Sequence, residues 1–553
     1  MTQKNILFIM LDQLRADALS CYGNCLVDTP NIDRLAVKGV KFNRCYVQGT
    51  SCGNSRASYY TGRHVRSHGA SWNGWATRLD ELTMVDHLLA CGVQTYLMGK
   101  THMKPDLAGM VRLGIEPQSE LGRFIGNAGF SHGERDDGLH TIGAAGGYGS
   151  EEPAYFDYLR RQGYAGSNPW AQWANAMTDE AGVLRNGMFL KHTHLPARID
   201  KEHSETAYTT DRAIDMIEQM GTSNWCLHVS YIKPHWPLAA PAPYHQMYRG
   251  IDLPKANKSD SEKYHAHPLY QAFMQQPHSK TYAQDEYRNH ALPTYYGLVK
   301  EIDDNLGRLF TSLKQQGQSD NTMIVLTSDH GDYFGDHWLG EKDLFHDPVT
   351  RVPLIIMDPT SGADDSRGTE CNELTCAIDL VPTFVEWAGG EPQWQWLEGQ
   401  SLLPVLRQNK ASQHTQTVVT SARPYVVSEC DYSAMQFAGE LGRNSYNSRM
   451  TMLFDGRYKY IHCLGFEPML YDLQEDPQER IDFGTDKAYA AVRSQLTEQM
   501  MDWSAGLKNR VTGSESMVQK RMGKSDEQGI LIGYWQQEDL PAALQIEPEV
   551  KPI

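Results

Sequence analysis

The chain has 553 residues, of which 40% are hydrophobic and 22% are charged, a composition typical of a folded protein with a large core. Its formal net charge is -17, from 51 Lys and Arg residues against 68 Asp and Glu residues. Nucleic acids and anionic membrane surfaces attract basic proteins, so this charge argues against both as partners. An anionic substrate would need a locally positive pocket.

The sequence contains no run close to the roughly 20 apolar residues that span a bilayer. The apolar run at residues 6–11 is too short for a signal peptide and is typical of a buried strand in a parallel sheet. The ten cysteines are scattered, without the dense framework of a small disulfide-rich protein. We therefore expect a cytoplasmic protein with reduced thiols.

Strand-like runs and helix-like runs alternate along the first 400 residues. After the strand at residues 6–11, residues 31–36 have helical spacing, and further strands are predicted at residues 93–98, 226–231, 322–328 and 354–357. This alternation predicts an α/β fold, a mostly parallel sheet sandwiched by helices. Several of these strands end in polar clusters, where open α/β sheets place their ligand sites.

Three parts of the chain differ in composition and in the pattern of apolar residues. Residues 1–420 are predicted to form a catalytic domain, in which the Gly-, Asp- and His-rich residues 104–205 are an insertion covering the site. Residues 421–505 are predicted to form a small α+β domain. Its antiparallel strands are expected at residues 425–428, 450–454 and 458–461, with Asp455-Gly456 as a hairpin turn.

Residues 506–553 form a tail that matches no known motif. Its apolar run at residues 530–535 could dock on a sister subunit or pack on its own chain. We expect a homo-oligomer, a dimer or a tetramer, with the tail as a possible oligomerisation arm.

The run Cys52-Gly53-Asn54-Ser55-Arg56, continuing to Thr61-Gly62, is the most informative segment. Asn54 or Ser55 is predicted to cap a short helix, which Gly62 can end in the left-handed conformation. Cys52 would then lie at a helix N-terminus, where free N–H groups and the helix dipole favour an anion. Arg56, one turn further on, can reach back to that anion with a planar fork of donors.

Two pairs of polar residues follow predicted strands. Asp12-Gln13 ends the first strand, and Asp329-His330 ends a later one. Carboxylates at the ends of parallel strands face one crevice and are good ligands for a hard divalent cation. An imidazole ligand moves the preference away from calcium toward manganese, iron or zinc.

Together these motifs resemble those of the type I sulfatases, whose active-site pattern is Cys-x-Pro-Ser-Arg-x-x-x-x-Thr-Gly. The resemblance implies an alkaline-phosphatase-like fold, and a nucleophile made by oxidation of Cys52 to formylglycine. Asn54 stands where the family usually has proline or alanine. Because that position belongs to the recognition site of the maturing enzyme, the departure bears on the conversion of Cys52.

The resemblance also assigns roles to other residues. Gly99-Lys100-Thr101-His102 is similar to the family's Gly-Lys-x-His element, Lys233-Pro234-His235-Trp236-Pro237 to its Pro-His-x-Pro element, and residues 331–342 to the segment that delivers a second lysine, Lys342. By this resemblance Lys100 neutralises a substrate oxygen, His102 contacts a hydroxyl of the nucleophile and His235 faces the leaving-group oxygen. Asn73 and Thr101 are expected to bind substrate.

The resemblance implies one divalent metal ion, held by Asp12, Gln13, Asp329 and His330. Calcium-dependent sulfatases commonly have Asp where this chain has Gln13, and Asn where it has His330. This ligand set looks closer to the phosphonate monoester hydrolases and choline-sulfatase-like members. Manganese is favoured, and calcium remains an alternative.

The sequence therefore predicts a metal-dependent, promiscuous hydrolase of sulfate monoesters that uses formylglycine at residue 52. Its expected partners are a small anionic ester and a formylglycine-generating enzyme. The first alternative is a phosphonate monoester hydrolase or phosphodiesterase with the same site. The second is a sulfatase-like binding protein without turnover, in which Asn54 leaves Cys52 unmodified.

Overall fold

The computed structural model describes residues 4–130, 132–138, 152–264, 266–408, 423–522, 534–540 and 542. Its strands, in chain order, are β1 (Asn5–Asp12), β2 (Val40–Tyr46), β3 (Gln94–Gly99), β4 (Gly133–Arg135), β5 (Ala176–Thr178), β6 (Leu184–Asn186), β7 (Trp225–Pro234), β8 (Thr322–Ser328), β9 (Arg351–Met357), β10 (Thr369–Cys371), β11 (Thr375–Cys376), β12 (Val426–Asp431), β13 (Arg449–Phe454), β14 (Tyr458–Cys463) and β15 (Met469–Asp472).

The α-helices of the described residues vary from single turns to one helix of 31 residues. They are α1 (Pro30–Lys38), α2 (Cys52–Thr61), α3 (Val65–His68), α4 (Met84–Ala90), α5 (Leu107–Arg112), α6 (Glu120–Gly126), α7 (Ala154–Arg161), α8 (Glu205–Met220), α9 (Asp260–Tyr264), α10 (Pro268–Met274), α11 (Pro277–Tyr282), α12 (Asp285–Gln315), α13 (Asp347–Thr350), α14 (Leu380–Ala388), α15 (Leu403–Leu406), α16 (Gln436–Glu440), α17 (Ala490–Gly506) and α18 (Glu515–Arg521).

A large mixed sheet forms the centre of the molecule, in the order β10-β2-β9-β8-β1-β7-β3-β4, with β11 also paired to β2. Every pairing in it is parallel except those of β9, which runs antiparallel to both β2 and β8. Strand β1 lies between β7 and β8 and is fully buried. The predicted α/β class is confirmed, and the strands expected from the apolar runs are present.

Two apolar cores cover the two faces of this sheet because neighbouring residues of a strand point to opposite sides. Leu7, Ile9 and Leu11 of β1 pack in one core with α1, α8 and α12. Ile6, Phe8 and Met10 pack in the other core with α2, α4 and α14. The helix α2, which carries Cys52, is thereby fixed against the sheet.

A second sheet is antiparallel, in the order β12-β13-β14-β15. The expected turn at Asp455-Gly456 joins β13 to β14, and helix α17 packs on one face of this sheet. Its other face shares an apolar core with Tyr46 and Val349 of the main body. The predicted boundary near residue 420 lies outside the described residues, so the division into three domains stays a prediction.

The region expected to be only a cover over the site contributes to the fold itself. Strand β4, inside residues 104–205, extends the main sheet at the edge next to β3. All ten cysteines are free thiols, as expected. Among the described residues, no helix has both the length and the apolar character that a bilayer crossing requires. The apolar run at residues 530–535 lies mostly outside the described residues, and Trp535 is exposed.

Candidate active site

Cys52 is the first residue of helix α2, as the sequence predicts, but the cap of this helix is different from the expected one. Ser51 is the N-cap, and Asn54 is the third residue of the helix. The Asn54 Oδ1 atom accepts hydrogen bonds from the Ser51 amide and the Ser51 hydroxyl, both at 3.0 Å. The prediction of Asn54 or Ser55 as cap was wrong because the Asn54 side chain folds back onto the preceding turn. Gly62 ends the helix with a φ of 65°, as expected.

The Cys52 thiol is buried among polar side chains that come from distant parts of the chain. Its Sγ atom lies 3.1 Å from His330 Nε2, 3.3 Å from Lys342 Nζ and 3.9 Å from Asp12 Oδ1. His102 also interacts with the Cys52 thiol and contributes to lowering its pKa. The contacts of this thiol thus reach residues up to 290 positions away in the sequence.

Buried ion pairs fix the carboxylates of this cluster. Arg56 Nε donates to Asp329 Oδ2 at 2.8 Å, and Arg56 Nη2 donates to Asp12 Oδ2 at 3.1 Å. Lys100 Nζ lies 2.5 Å from Asp12 Oδ2. Arg56 also donates to Ser230 Oγ at 2.7 Å. Since these side chains are excluded from water, each charge depends on its partner.

Four residues form a set of donors that could hold a metal ion. One ligand atom from each of Asp12, Cys52, Asp329 and His330 lies within 4.8 Å of the others, and all four residues are buried. His330 Nδ1 is 2.9 Å from the Gly331 carbonyl, which can only accept, so Nδ1 carries a proton and Nε2 points into the cluster. A second ring nitrogen fixed in this way is the usual arrangement of a histidine ligand.

Positive charges dominate the electrostatics of the nucleophile. Burial alone would raise the pKa of the Cys52 thiol, but Lys100, Lys342 and His330 lower that pKa well below its ordinary value. Burial lowers the pKa of His330, whereas Asp329 and Cys52 more than offset this effect and raise it to about 9. The cluster is therefore suited to an anion at the position of the Cys52 side chain.

Gln13, a predicted metal ligand, makes other contacts in this structure. Its side-chain Oε1 atom accepts from Lys342 Nζ at 3.1 Å, and its Nε2 atom donates to Asp332. Its backbone N–H donates to Asp329 Oδ1 at 3.0 Å. These contacts orient Lys342 and Asp329, and the role of Gln13 as a metal ligand stays a prediction. Its backbone has a φ of 64°, in the left-handed region that side chains rarely adopt.

Lys342 belongs to a loop with an unusual backbone. Glu341 and Asp343, its two neighbours, have φ angles of 62° and 91°. Such conformations are costly and persist when the surrounding contacts fix them. Here the Glu341 carboxylate accepts from Trp236 Nε1 at 2.8 Å and lies 3.7 Å from Lys342 Nζ. The loop therefore aims the ammonium at Cys52.

The loop after β7 brings His235 to the cluster. His235 Nδ1 lies 2.6 Å from the Trp236 carbonyl, and its Nε2 lies 3.5 Å from Lys342 Nζ. The indole of Trp236 stacks on the His235 ring, with centroids 4.7 Å apart. Lys233 fixes the base of the loop by donating to the Pro237 carbonyl at 2.8 Å. His235 is thus held next to Lys342.

The predicted substrate residues Asn73 and Thr101 have structural contacts. Asn73 Oδ1 accepts from the Gly53 amide at 2.7 Å, at the start of α2. The Thr101 hydroxyl accepts from the Met103 amide at 3.3 Å. Their role as substrate ligands stays a prediction.

Some residues that shape the site were not predicted. Asp137 accepts from the amides of Thr101 and His102, both at 3.0 Å, and so fixes the segment that carries His102. Asp137 lies in the weakly periodic insertion, where no motif marks it. Glu341 lies directly beside Lys342, and its side-chain type was the available signal.

Comparison with known proteins places these features in a family. The family model described as Sulfatase matches residues 4–390, and the model described as N-sulphoglucosamine sulphohydrolase, C-terminal, matches residues 335–506. The chain is 30% identical to the multifunctional alkaline phosphatase superfamily protein PehA of Trinickia caryophylli, over 91% of this chain and 95% of that protein. It is 28% identical to an arylsulfatase of Clostridium perfringens, over 69% of this chain and 74% of that protein.

Solved structures give the same picture. The phosphonate monoester hydrolase of Silicibacter pomeroyi has a TM-score of 0.78 and 28% identity, with 92% of this chain and 96% of that chain covered. The phosphonate monoester hydrolase of Agrobacterium radiobacter has a TM-score of 0.77 and 26% identity, with 91% and 96% covered. Both likenesses extend over nearly the whole length of each chain.

Proposed function

This chain belongs to the sulfatase family, and from that premise we propose that it is a metal-dependent hydrolase of sulfate monoesters with its nucleophile at residue 52. The observation that carries the proposal is the position of the Cys52 side chain. It is buried at the N-terminus of α2, within 3.3 Å of both Lys342 Nζ and His330 Nε2. Such a site favours a nucleophile that attacks an anionic centre.

The donor set supports a divalent metal ion as cofactor. Asp12, Asp329 and His330 offer two carboxylates and an imidazole beside the nucleophile, a combination that suits manganese better than calcium. When bound, the ion would offset negative charge on the substrate and on the nucleophile. Gln13, whose side-chain oxygen lies 3.1 Å from Lys342 Nζ, would be the fourth ligand of the ion.

Formylglycine at residue 52 supplies two hydroxyls in its hydrated form, one to attack sulfur and one to release the sulfate afterwards. The protein's own residues serve these steps. Lys100 and Lys342 balance the charge on the sulfate oxygens, and Arg56 holds Asp12 and Asp329 in place. His235 with Lys342 gives a proton to the leaving oxygen, and His102 takes the proton of the second hydroxyl.

A second function, the hydrolysis of phosphonate monoesters or phosphodiesters, is favoured by the charge of the site. Sulfate monoesters, phosphodiesters and phosphonate monoesters each carry one negative charge at the reacting group, so one cationic cluster can serve all three. The likeness to two phosphonate monoester hydrolases supports this candidate. We expect a promiscuous enzyme in which the sulfatase activity is accompanied by the others.

The test combines mass spectrometry with a substrate panel. Protein made with a formylglycine-generating enzyme is digested with trypsin, and the peptide from Cys45 to Arg56 is weighed. We expect the mass of formylglycine at residue 52, a bound divalent metal, and turnover of 4-nitrophenyl sulfate. Turnover of phenyl phosphonate esters alone would instead favour the second candidate. An intact thiol without turnover on any ester would favour a binding protein.

A further inference from the structure

A cavity of about 750 Å³ opens beside the catalytic cluster, between the insertion and the helices α11 and α12. A volume of this size can enclose most of a drug-sized molecule. Its wall is mainly apolar and aromatic. The side chains that give it this character are Met188, Phe189, Leu190, Trp236, Tyr282 and Tyr287.

The cavity is connected to the reaction site through two residues that belong to both. Trp236 lines the cavity and stacks on His235. Glu341 also lines the cavity, and it directly precedes Lys342 in the chain. His235 and Lys342 are the two groups proposed to meet the leaving oxygen, so the cavity opens on the leaving-group side. A group that departs from the reacting centre toward these residues would be the alcohol of the ester.

Two rings of the wall are exposed to solvent. Phe189 is 62% exposed, and Tyr287 is 43% exposed, although both border a concave surface. Exposed apolar side chains that cluster around a cavity are typical of a surface that a ligand covers. The charged side chains of the wall have both signs, Glu286 and Glu341 against Lys191, so the wall has no strong net charge that would select a charged alcohol.

We propose that this cavity binds the alcohol portion of the ester and that the substrates are monoesters of extended, uncharged aryl or other apolar alcohols. The inference rests on the proposed function, because it assigns the occupant by its position next to the leaving-group side. It goes further by naming the substrate class. Phe189 and Tyr287 are the specificity-determining residues, and they are supplied by the insertion and by helix α12.

The experiment compares phenyl sulfate with 4-biphenylyl sulfate, two esters whose phenols have similar acidity but different apolar area. The protein is the metal-loaded full chain with formylglycine at residue 52. We expect kcat/KM for the biphenylyl ester to be at least about tenfold higher, since burying a second ring removes a large apolar area from water. The Phe189→Ala and Tyr287→Ala variants are expected to reduce this preference about fivefold or more each. Tyr446→Ala is the control, because Tyr446 is 85% exposed in a loop before β13 and does not line the cavity.

A second measurement tests the alcohol site independently of the proposed hydrolytic function. Binding of both sulfates to the unmodified Cys52 protein is measured by calorimetry. If 4-biphenylyl sulfate binds more tightly and Phe189→Ala removes the difference, the cavity is supported as the binding site of the alcohol portion. This result would stand even if no ester were hydrolysed and the proposed reaction were refuted. Equal binding and equal turnover of the two sulfates would overturn the cavity as the alcohol site. A preference for N-acetylglucosamine 6-sulfate over both aryl esters would overturn it as well.

Discussion

Arg56 and Lys100, two cations of the candidate site, are held by carboxylates that belong to the proposed metal-binding set. Arg56 is fully buried and bridges Asp12 to Asp329. A buried charge without a partner is far more costly than a complete pair. Substitutions of Arg56 and its two carboxylate partners would therefore change stability and activity together. Lys342 extends from a loop, so its replacement is expected to disturb these buried ion pairs less.

Replacing Lys342 by methionine is expected to lower kcat/KM for an aryl sulfate by about 10²–10³, the effect typical of removing one charge-stabilising donor. The metal content is expected to stay the same, because Lys342 lies next to the donor set and outside it. Steady-state kinetics and elemental analysis of the purified variant measure both.

The matched control for this prediction is Lys314→Met, since Lys314 is exposed in the last turn of α12. Its kcat/KM is expected to equal that of the parent protein. A Lys342→Met protein with full activity would remove Lys342 from the reaction.

Replacing Asn54 by alanine is expected to lower the free energy of unfolding by about 1 kcal/mol, the usual loss when a helix cap is removed. The reason is that a methyl side chain at this position would leave the Ser51 amide and the Ser71 carbonyl without the bonds that Asn54 supplies. Denaturant unfolding followed by circular dichroism measures the change.

The Asn54→Asp variant provides the comparison, because it keeps the oxygen that accepts from Ser51. Its stability is expected to lie between those of the parent protein and Asn54→Ala. Equal stability of all three proteins would show that the capping contacts of Asn54 contribute nothing.

At the scale of elements, helices α8 and α12 and the end of β7 meet in a buried polar network. The Ser204 hydroxyl, at the start of α8, donates to Glu301 of α12 at 2.5 Å. Lys233, at the end of β7, lies 3.6 Å from the Glu205 carboxylate and donates to Asn175 Oδ1 at 2.9 Å. This network joins the insertion to the loop that carries His235.

Glu301 makes the stability of this network depend on pH. Burial raises the pKa of Glu301 to about 7 in the folded protein, against an ordinary value of 4.5. Between these two values the folded state binds a proton that the unfolded state has lost, so the contribution of Glu301 is complete below pH 4.5 and is lost as the pH rises through 7. Glu301→Gln is therefore expected to flatten the decline in stability across this range, by at most about 3 kcal/mol.

Thermal unfolding of the parent protein and Glu301→Gln, measured from pH 4.5 to 8, checks this expectation. Glu218→Gln serves as control, because Glu218 is an exposed residue of α8. Parallel pH curves for the parent and Glu301→Gln would contradict the assigned cause.

The strands of the main sheet could be predicted because β1 and β8 contain continuous apolar runs, and such runs have few other possible structures. Helix α12 could not be found in the same way. It contains Pro293, which normally argues against the interior of a helix, and its apolar residues were not recognised as one long stripe. Tertiary packing against α8 and the sheet outweighs the local signal.

The same distinction applies to the site. Asp12, Cys52, Arg56, Lys100, His235 and Lys342 lie in short motifs, and their meeting in space follows from the ends of parallel strands. Asp137 and the bond between Glu341 and Trp236 act through contacts between segments that are far apart in the chain. No spacing in the sequence marks such contacts, because only the folded chain creates them.

At the scale of the whole molecule, the small antiparallel sheet shares its core with the main body. Lys459 of β14 is fully buried, pairs with Asp347 at 2.8 Å, and also pairs with Glu479. Its ammonium donates to the Phe345 carbonyl at 3.0 Å, a residue close in sequence to Lys342. The two sheets are thus joined by charge as well as by apolar packing.

Replacing Lys459 by methionine leaves the buried Glu479 carboxylate without its cation, whereas the partly exposed Asp347 keeps Arg351 at 3.0 Å. The change is expected to lower the free energy of unfolding by about 3–5 kcal/mol. Because the core is shared, both sheets are expected to unfold in one transition. Circular dichroism and tryptophan fluorescence, recorded on the same denaturant series, measure the loss and the coincidence of the two curves.

The variant Arg449→Met is the control, since Arg449 is an exposed residue of β13 in the same sheet. Its loss of stability is expected to be much smaller. If Lys459→Met unfolded like Arg449→Met, the buried pair would not join the two sheets.

The burial of Cys52 limits the time at which its proposed modification could take place. The thiol is only 1% exposed, and His330, which covers it, lies 278 residues later in the chain. At ordinary rates of protein synthesis, the residues between Cys52 and His330 take roughly 15–55 s to make. During that time residue 52 has been synthesised and His330 has not. An enzyme that oxidises this cysteine must act in that interval or on a chain that has not yet folded. The yield of active protein then depends on whether oxidation of Cys52 is faster than the folding that buries it. Slower translation should therefore increase that yield.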